Sequence, residues 1–340
     1  MTEIKISIIV PVYQAEKYLE DCLESLIEQN IMEYEVVCVD DGSTDSSARI
    51  IHEFQQKTDK IRYYRQENKG VSAARNQGIA LARGRYLMFV DADDKIKRNS
   101  LGYLYKKAKN EGCDILVFGG KMDAALKAPE WMRMALYTRN KDYISFAPEI
   151  LYEEPGAQPS ACNKLYKREC IRNVRFPEDI SIAEDMTFLF VLLPTVRKIS
   201  FIKKRIYRYR ISNEDSAMHR TKEFYVKYMG NHIKAAEKFI FEWKKYGLLE
   251  KKNEVFIMWL TSFLRGPYKM LEESELEEFS ERIEKLFVSV DSDNRLLQPE
   301  SQGGNSFPVS RIFRIVNRDI KKYGIFGGME NIMHKIFIRR

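Results

Sequence analysis

Three acidic residues lie directly after an apolar run in the first third of the chain. Asp91, Asp93 and Asp94 follow the run Tyr86 to Val90. Like charges this close repel one another unless a cation or hydrogen-bond donors offset them. Hard cations such as Mg²⁺ or Mn²⁺ prefer carboxylate oxygen and can bridge it to a diphosphate. The spacing therefore predicts a site for a metal and a phosphate, and the alternative is an acidic turn that caps the next helix.

Two further candidates precede this cluster in the sequence. Asp41 follows the apolar run Glu35 to Val39, where its carboxylate could accept a hydrogen bond from a ribose or a base N–H. The alternative is a turn held by its own side chains. Arg75 lies in a small-residue helix that begins at Gly70, and it could pair with a carboxylate or bind an anionic donor. Its alternative is a solvated helix face.

An acidic pair, Glu184–Asp185, stands at the start of a later apolar helix. Such a pair can simply complement the positive end of the helix dipole. The functional alternative is a general base, since an attacking hydroxyl must lose its proton. One carboxylate is sufficient for a single displacement, and Asp185 is the candidate.

The elements that would position these residues alternate between strand and helix. Continuous apolar runs predict strands buried on both faces, and helical spacing of apolar residues predicts the helices between them. This order favours a mostly parallel sheet flanked by helices, in which ligands bind at the carboxyl ends of the strands. The predicted strands are Ile6 to Val10, Glu35 to Val39, Ile61 to Tyr64, Tyr86 to Val90 and Asp114 to Phe118.

Beyond residue 120 the pattern changes. The rhythm breaks from Lys121 to Gly156, and short strand-like pieces return at Ser200 to Lys203 and Arg205 to Arg210. Later residues have helical periodicity. The predicted helices span Phe224 to Tyr246, Asn253 to Leu271 and Ser274 to Val288.

Composition excludes some classes of protein. The 340 residues are 44% hydrophobic and 31% charged, as in a folded soluble protein. The longest apolar run, Phe188 to Leu193, is far shorter than the roughly 20 residues of a membrane-spanning helix. Five scattered cysteines lack metal-ligand spacing and indicate buried thiols in a reducing compartment. The net charge of +7 permits anionic partners without selecting one.

Taken together, the motifs resemble those of family 2 glycosyltransferases, which have the nucleotide-binding GT-A fold. Any one motif is weak, but together, in the family's order and spacing, the motifs are specific, and they cover roughly residues 4 to 215. The residues that carry the resemblance are Ser7 to Tyr13, Val39 to Asp45, Asn68 to Asn76, Gly84 to Asp94, Asn163 to Arg168 and Glu184–Asp185.

The resemblance implies roles for individual residues. Asp91 would meet the ribose or the outer shell of the metal, and Asp93 would ligate Mn²⁺ or Mg²⁺ between the donor phosphates. Asp185 would be the catalytic base. The sequence does not decide whether Asp94 shares the metal or Glu184 shares the base role. The implied nucleotide-sugar site comprises Pro11, Tyr13, Asp41, Arg75 and Asp91.

The implied activity is inverting transfer of a sugar from a nucleotide-diphosphate sugar, with UDP expected, to an acceptor hydroxyl. The acceptor would be a lipid-linked saccharide or a growing surface polysaccharide of a bacterium, and no nucleic acid partner is expected. A nucleotidyltransferase is a rival, but it leaves Glu184–Asp185 unexplained. An inactive sugar-nucleotide-binding relative is a second rival, against which the intact acids argue.

The expected organisation is a GT-A domain over residues 1–220 and a helical C-terminal region over 221–340. Within the first domain, residues 1–120 would bind the donor and 121–220 the acceptor. The tail Arg311 to Arg340 contains apolar residues flanked by Lys and Arg. It predicts either peripheral docking on the inner face of the membrane or a helix packed on the catalytic domain. The expected location is the cytoplasm, and only the docking alternative adds contact of this tail with the inner face of the membrane.

Overall fold

Apolar runs form the central strands, because a strand covered on both faces needs apolar side chains on both. In the computed structural model, strands β1 (Ile6–Val12) and β2 (Tyr34–Asp40) are buried at every position. The residues described by the structure are 3–123, 136–154, 156, 160–210, 222–249, 253–268 and 271–290.

Nine strands in the described part of the chain form one mixed sheet. Strands β1 to β4 pair in parallel, whereas β8 is antiparallel to both of its neighbours. The order across the sheet is β3-β2-β1-β4-β8-β6-β9-β5, and β7 pairs with β9. The other strands are β3 (Ile61–Arg65), β4 (Tyr86–Phe89), β5 (Lys95–Ile96), β6 (Ile115–Asp123), β7 (Lys141–Ile144), β8 (Lys164–Lys167) and β9 (Lys198–Arg210).

The order of the strands creates a crevice for ligands. From β1, the chain moves to β2 and β3 on one side and returns to β4 on the other. Ligands of such sheets bind where this direction reverses, at the carboxyl ends of the strands. Asp41 follows β2 and Asp91 lies two residues after β4, so both are at this edge.

Helices in the first part of the chain cover the sheet. The helix α3 packs against β1 so closely that a Cβ atom at Gly78 would lie 2.2 Å from the Ile9 side chain. Glycine at this position therefore sets how near the helix lies to the sheet. The helices are α1 (Leu19–Ile27), α2 (Ser47–Lys57), α3 (Val71–Leu81), α4 (Leu101–Glu111), α5 (Ile150–Glu153) and α6 (Glu184–Leu192).

Backbone contacts divide the chain into two compact units, Met1–Ser216 and Ala217–Arg340. In the second unit, α7 (Lys222–Lys245), α8 (Asn253–Tyr268) and α9 (Glu273–Val290) enclose buried aromatic residues that include Phe239 and Trp243. No helix among the described residues is both long and apolar enough to cross a bilayer.

The predicted fold class is confirmed, with two local differences. The two short pieces predicted after Ser200 are one strand, β9, whose pairing with β6 shifts register beside Gly119. Three consecutive exposed charges, Lys203 to Arg205, coincide with that irregularity and interrupt the strand pattern. The segment predicted to be irregular after Lys121 contains the end of β6 and all of β7.

Candidate active site

The three aspartates after β4 have different surroundings. Asp94 is buried, and its carboxylate accepts hydrogen bonds from the Tyr207 hydroxyl at 2.5 Å and the Arg210 backbone N–H at 2.8 Å. Burial raises the pKa of Asp94 well above its ordinary value, and the charges of Asp91 and Asp93 raise it further. Asp91 and Asp93 are partly exposed. Asp94 therefore anchors the loop, while the other two carboxylates are accessible to a ligand.

Arg75 links an acidic residue that follows β4 to an acidic residue at the start of α6. From the middle of α3, its guanidinium donates to Asp91 at 2.9 Å and to Glu184 at 3.0 Å. The side chain is buried against the ring of Phe176, 5.2 Å from the ring centroid. The two carboxylates raise the pKa of Arg75 against the opposing effect of burial, so it stays charged. This ion-pair bridge brings together two motifs that are 93 positions apart, Asp91 and Glu184, because one planar cation serves both.

Asp185 is the second residue of helix α6 and lies beside this bridge. Its carboxylate accepts the backbone N–H of Met186 at 2.8 Å. Burial raises the pKa of Asp185 to about 7; the Glu184 charge adds to this increase and the Arg75 charge opposes it. A carboxylate with a pKa near 7 is present in both protonation states at neutral pH, as a general base requires.

Lys164, on β8, is a buried cation that sequence analysis did not identify as a site residue. Its ammonium donates to the Ser160 carbonyl oxygen at 2.6 Å and to the Asn163 side-chain oxygen at 3.1 Å. Burial lowers the pKa of Lys164 to about 8, and the charge of Asp185 opposes that change. The motif contains two lysines, and nothing in its local pattern distinguishes buried Lys164 from partly exposed Lys167.

Asp41 closes a loop at the start of α3. Its two carboxylate oxygens accept hydrogen bonds from the Gln66 side chain at 2.8 Å and the backbone N–H groups of Lys69 at 2.9 Å and Gly70 at 2.8 Å. Gly70 has a φ of 89°, which favours glycine. These contacts support the alternative in which Asp41 shapes its turn, and a carboxylate oxygen with a second lone pair can still accept a ligand donor.

The other predicted donor residues differ in exposure. Tyr13 follows β1 and is 54% exposed, so its ring is available to stack on a planar ligand. Pro11 is buried within β1 opposite Val39 of β2. The structure thus places Tyr13 and Asp41 at the carboxyl ends of adjacent strands.

The carboxylate oxygens at the carboxyl end of β4 are suitable ligands for a hard cation. The side chains of Asp91 and Asp93 carry carboxylate oxygens, the type of ligand that Mg²⁺ and Mn²⁺ prefer. Among the described residues, no group of three or more His, Cys, Asp and Glu side chains could hold a metal by itself. A cation of this kind commonly keeps waters and takes substrate phosphates as ligands, so one or two carboxylates are an adequate protein contribution.

Comparison with known sequences identifies related proteins. Residues 7–174 match the family described as Glycosyl transferase family 2. Glycosyltransferase GlyG of Streptococcus pneumoniae serotype 4 is 31% identical over 217 residues, which cover 60% of this chain and 70% of GlyG. Glycosyltransferase GlyA of the same organism is 37% identical over 215 residues, which cover 61% of this chain and 30% of GlyA. The chain thus spans less than a third of the length of GlyA.

The fold also has a solved counterpart. The structure of S. aureus TarS 1-349 in complex with UDP-GlcNAc matches with a TM-score of 0.57 at 22% identity, covering 86% of this chain and 92% of that one. The match supports the predicted GT-A architecture. The family match over residues 7–174 and the similarity to GlyG confirm the predicted family. The chain belongs to family 2 of the glycosyltransferases.

Proposed function

We propose that this chain transfers a sugar from a UDP-sugar to an acceptor hydroxyl with inversion at the anomeric carbon. The observation that carries the proposal is the Arg75 bridge between Asp91 and Glu184. It holds the carboxylates after β4 next to the base candidate Asp185, as direct transfer between a donor and an acceptor requires. Proximity of the two reactants is itself a large part of catalysis.

The donor lies along the carboxyl ends of β1, β2 and β4. Tyr13 stacks on the nucleobase beside Pro11, Asp41 accepts a hydrogen bond from the base or ribose, and Asp91 faces the ribose. Arg75 fixes the orientation of Asp91 through their 2.9 Å contact. The likeness to TarS, which was solved with UDP-GlcNAc, supports a UDP-linked donor.

Asp93 would hold the metal, Mn²⁺ or Mg²⁺. When bound, the cation would neutralise the negative charge that develops on the leaving diphosphate. The protein contributes a fixed loop, because Asp94 is held by the Tyr207 hydroxyl at 2.5 Å. The accessible carboxylates therefore need little rearrangement to meet the donor.

Asp185 removes the acceptor proton. The acceptor oxygen forms a bond to the anomeric carbon while the bond from that carbon to the diphosphate oxygen breaks. The proton passes to the Asp185 carboxylate, whose pKa of about 7 suits this transfer near neutral pH. Attack occurs on the face opposite the leaving group, so the configuration inverts. Glu184, held by Arg75 at 3.0 Å, orients the start of α6.

The acceptor is a saccharide, either lipid-linked or part of a growing surface polysaccharide. The proposed acceptor side comprises residues 121–220, which contain Asp185. The S. pneumoniae glycosyltransferases GlyG and GlyA are similar to this chain over their shared 217 and 215 residues, and these likenesses support a bacterial saccharide product.

The test measures release of the nucleotide diphosphate by the full chain. UDP-glucose, UDP-galactose, UDP-GlcNAc and GDP-mannose are supplied separately with Mn²⁺ and a panel of oligosaccharide acceptors. We expect UDP release from at least one donor, stimulated by acceptor, and a product of inverted configuration by NMR. Asp93→Ala is the matched inactive control. Retention of configuration, or acceptor-stimulated release from GDP-mannose alone, would contradict the proposal.

A further inference from the structure

A second concave site lies beside β9, outside the proposed donor site. The cavity has a volume of about 590 Å³. One wall is the start of α4 with Tyr103, and the other is the irregular part of β9. Its lining includes six cationic side chains, which define the cationic pocket: Lys97, Lys121, Lys203, Lys204, Arg205 and Arg208.

All the charged side chains that line the pocket are cationic. No acidic residue is among the residues that line it, and the described part of the chain contains no ion pair to any of the six cations. Lys204 instead places its ammonium 5.4 Å from the centroid of the Tyr103 ring. The net charge of the whole chain is only +7, whereas the lining of this one pocket contains six cations and no acid. Such a concave cluster attracts anions, and a bound anion relieves its internal repulsion.

The side chains, rather than the helix start, provide the attraction. The first backbone N–H groups of α4 already have acceptors: Ser100 and Leu101 donate to the Gln29 side chain, and Gly102 donates to Asn30. A ligand would therefore meet ammonium and guanidinium groups. Several separate cations suit a ligand with several phosphates better than one small anion.

Tyr207 connects the pocket to the candidate active site. It lines the pocket, and its hydroxyl contacts Asp94 at 2.5 Å and the Asp91 backbone N–H at 3.4 Å. Lys97 is three residues after Asp94, so their Cα atoms are at most about 11 Å apart. A chain-like ligand in the pocket is thus close to the loop that carries Asp91 and Asp93, the carboxylates of the proposed donor site.

We propose that the cationic pocket binds phosphate groups of an anionic acceptor chain, at a distance from the hydroxyl that reacts. That the bound chain is the sugar acceptor rests on the proposed function. That the pocket binds an anion rests only on the charges and shape of the pocket. The cavity is a half-open cleft between a helix and a strand, and this concave shape suits a flexible polymer rather than the flat surface of a membrane. The ligand class is a saccharide or polyol chain linked by phosphodiesters.

The experiment uses the full chain and fluorescently labelled linear inorganic polyphosphate, with binding followed by fluorescence anisotropy. The pocket variant is Lys204→Gln/Arg205→Gln. The control variant, Lys106→Gln/Lys109→Gln, removes the same charge from exposed positions of α4 outside the pocket lining. Circular dichroism checks the fold of both, and UDP affinity is measured by calorimetry.

We expect the pocket variant to bind polyphosphate at least about tenfold more weakly, with a shallower salt dependence, because two phosphate contacts are lost. The control should change less than about twofold, and neither variant should alter UDP affinity. Equal weakening in both variants, equally tight binding of neutral dextran, or unchanged binding by the pocket variant would overturn the proposal. The proposal would also be overturned if the wild type bound phosphatidylglycerol vesicles but not polyphosphate and the pocket variant lost the vesicle binding. If the wild type binds polyphosphate but not UDP, the proposed function fails and the anion site remains.

Discussion

Replacing Asp185 by asparagine should separate catalysis from folding. Asparagine keeps the shape of the side chain and cannot accept the acceptor proton, so transfer should fall by roughly 10²–10⁴-fold. UDP affinity should be little changed, because the proposed base faces the acceptor. In the wild type, transfer should increase with pH as Asp185 ionises and then level off, with a midpoint no higher than about 7, because a bound cation would lower this pKa.

The same substitution should stabilise the fold at alkaline pH. Burial raises the pKa of Asp185 from its ordinary 3.8 to about 7, so the folded protein binds this proton more tightly than the unfolded chain. Stability from this group is therefore lost as pH rises through about 7. At about 1.36 kcal/mol per pKa unit, the stability advantage of Asp185→Asn should grow by roughly 2–3 kcal/mol between about pH 5 and pH 8.

Urea denaturation at the two pH values measures this difference, and calorimetry with UDP measures donor binding. Glu184→Gln is the matched control, since it also removes one charge but replaces the 3.0 Å ion pair with Arg75 by a weaker neutral hydrogen bond. That variant should be destabilised. If Asp185 served mainly to complement the helix dipole, Asp185→Asn would instead be less stable by roughly 0.3–1 kcal/mol. That result, or selective loss of UDP affinity, would refute the assignment as base.

Three further substitutions or truncations test other parts of the proposal. Asp93→Ala should nearly abolish transfer and leave the fold intact. A chelator should abolish transfer by the wild type until Mn²⁺ or Mg²⁺ is added, and full activity in chelator would exclude a role for the metal. Asp41→Ala should weaken UDP binding and also reduce thermal stability, because two backbone N–H groups lose their acceptor; loss of stability alone would limit Asp41 to the turn. The tail Arg311 to Arg340 lies outside the described residues, and its membrane role stays a prediction: flotation with anionic liposomes should be lost in a chain ending at Pro308.

Much of the fold could be predicted because local patterns specify it. Continuous apolar runs locate β1, β2 and β4, and the acidic residues after them lie at one edge because parallel strands share a direction. The structure places Asp91 and Asp41 at that edge, as the strand order requires. The three helices of the second unit also follow their apolar periodicity, with ends within a few residues of those predicted.

Other features depend on contacts between distant segments. Strand β8 (Lys164–Lys167) is short and contains two lysines, so no alternation reveals that it pairs between β4 and β6. The burial of Lys164 follows from that pairing. The separate environments of Asp93 and Asp94 are likewise set by Tyr207, more than 100 positions later. Sequence spacing alone cannot resolve such neighbours.

The charge balance around Arg75 is compatible with the proposal that a metal cation and a catalytic base share one crevice. Asp91, Asp93, Glu184 and Asp185 bring four carboxylates, whereas three cations lie beside them: Arg75, Lys164 and Arg210, whose Nε donates to the Asp93 carbonyl oxygen at 3.0 Å. Without ligands the crevice is therefore anionic, and this excess contributes to the raised pKa of Asp185. A diphosphate donor would add negative charge unless a divalent cation entered with it. The arrangement thus favours joint binding of metal and donor, and a cation near Asp91 would lower the pKa of Asp185 and favour its basic form.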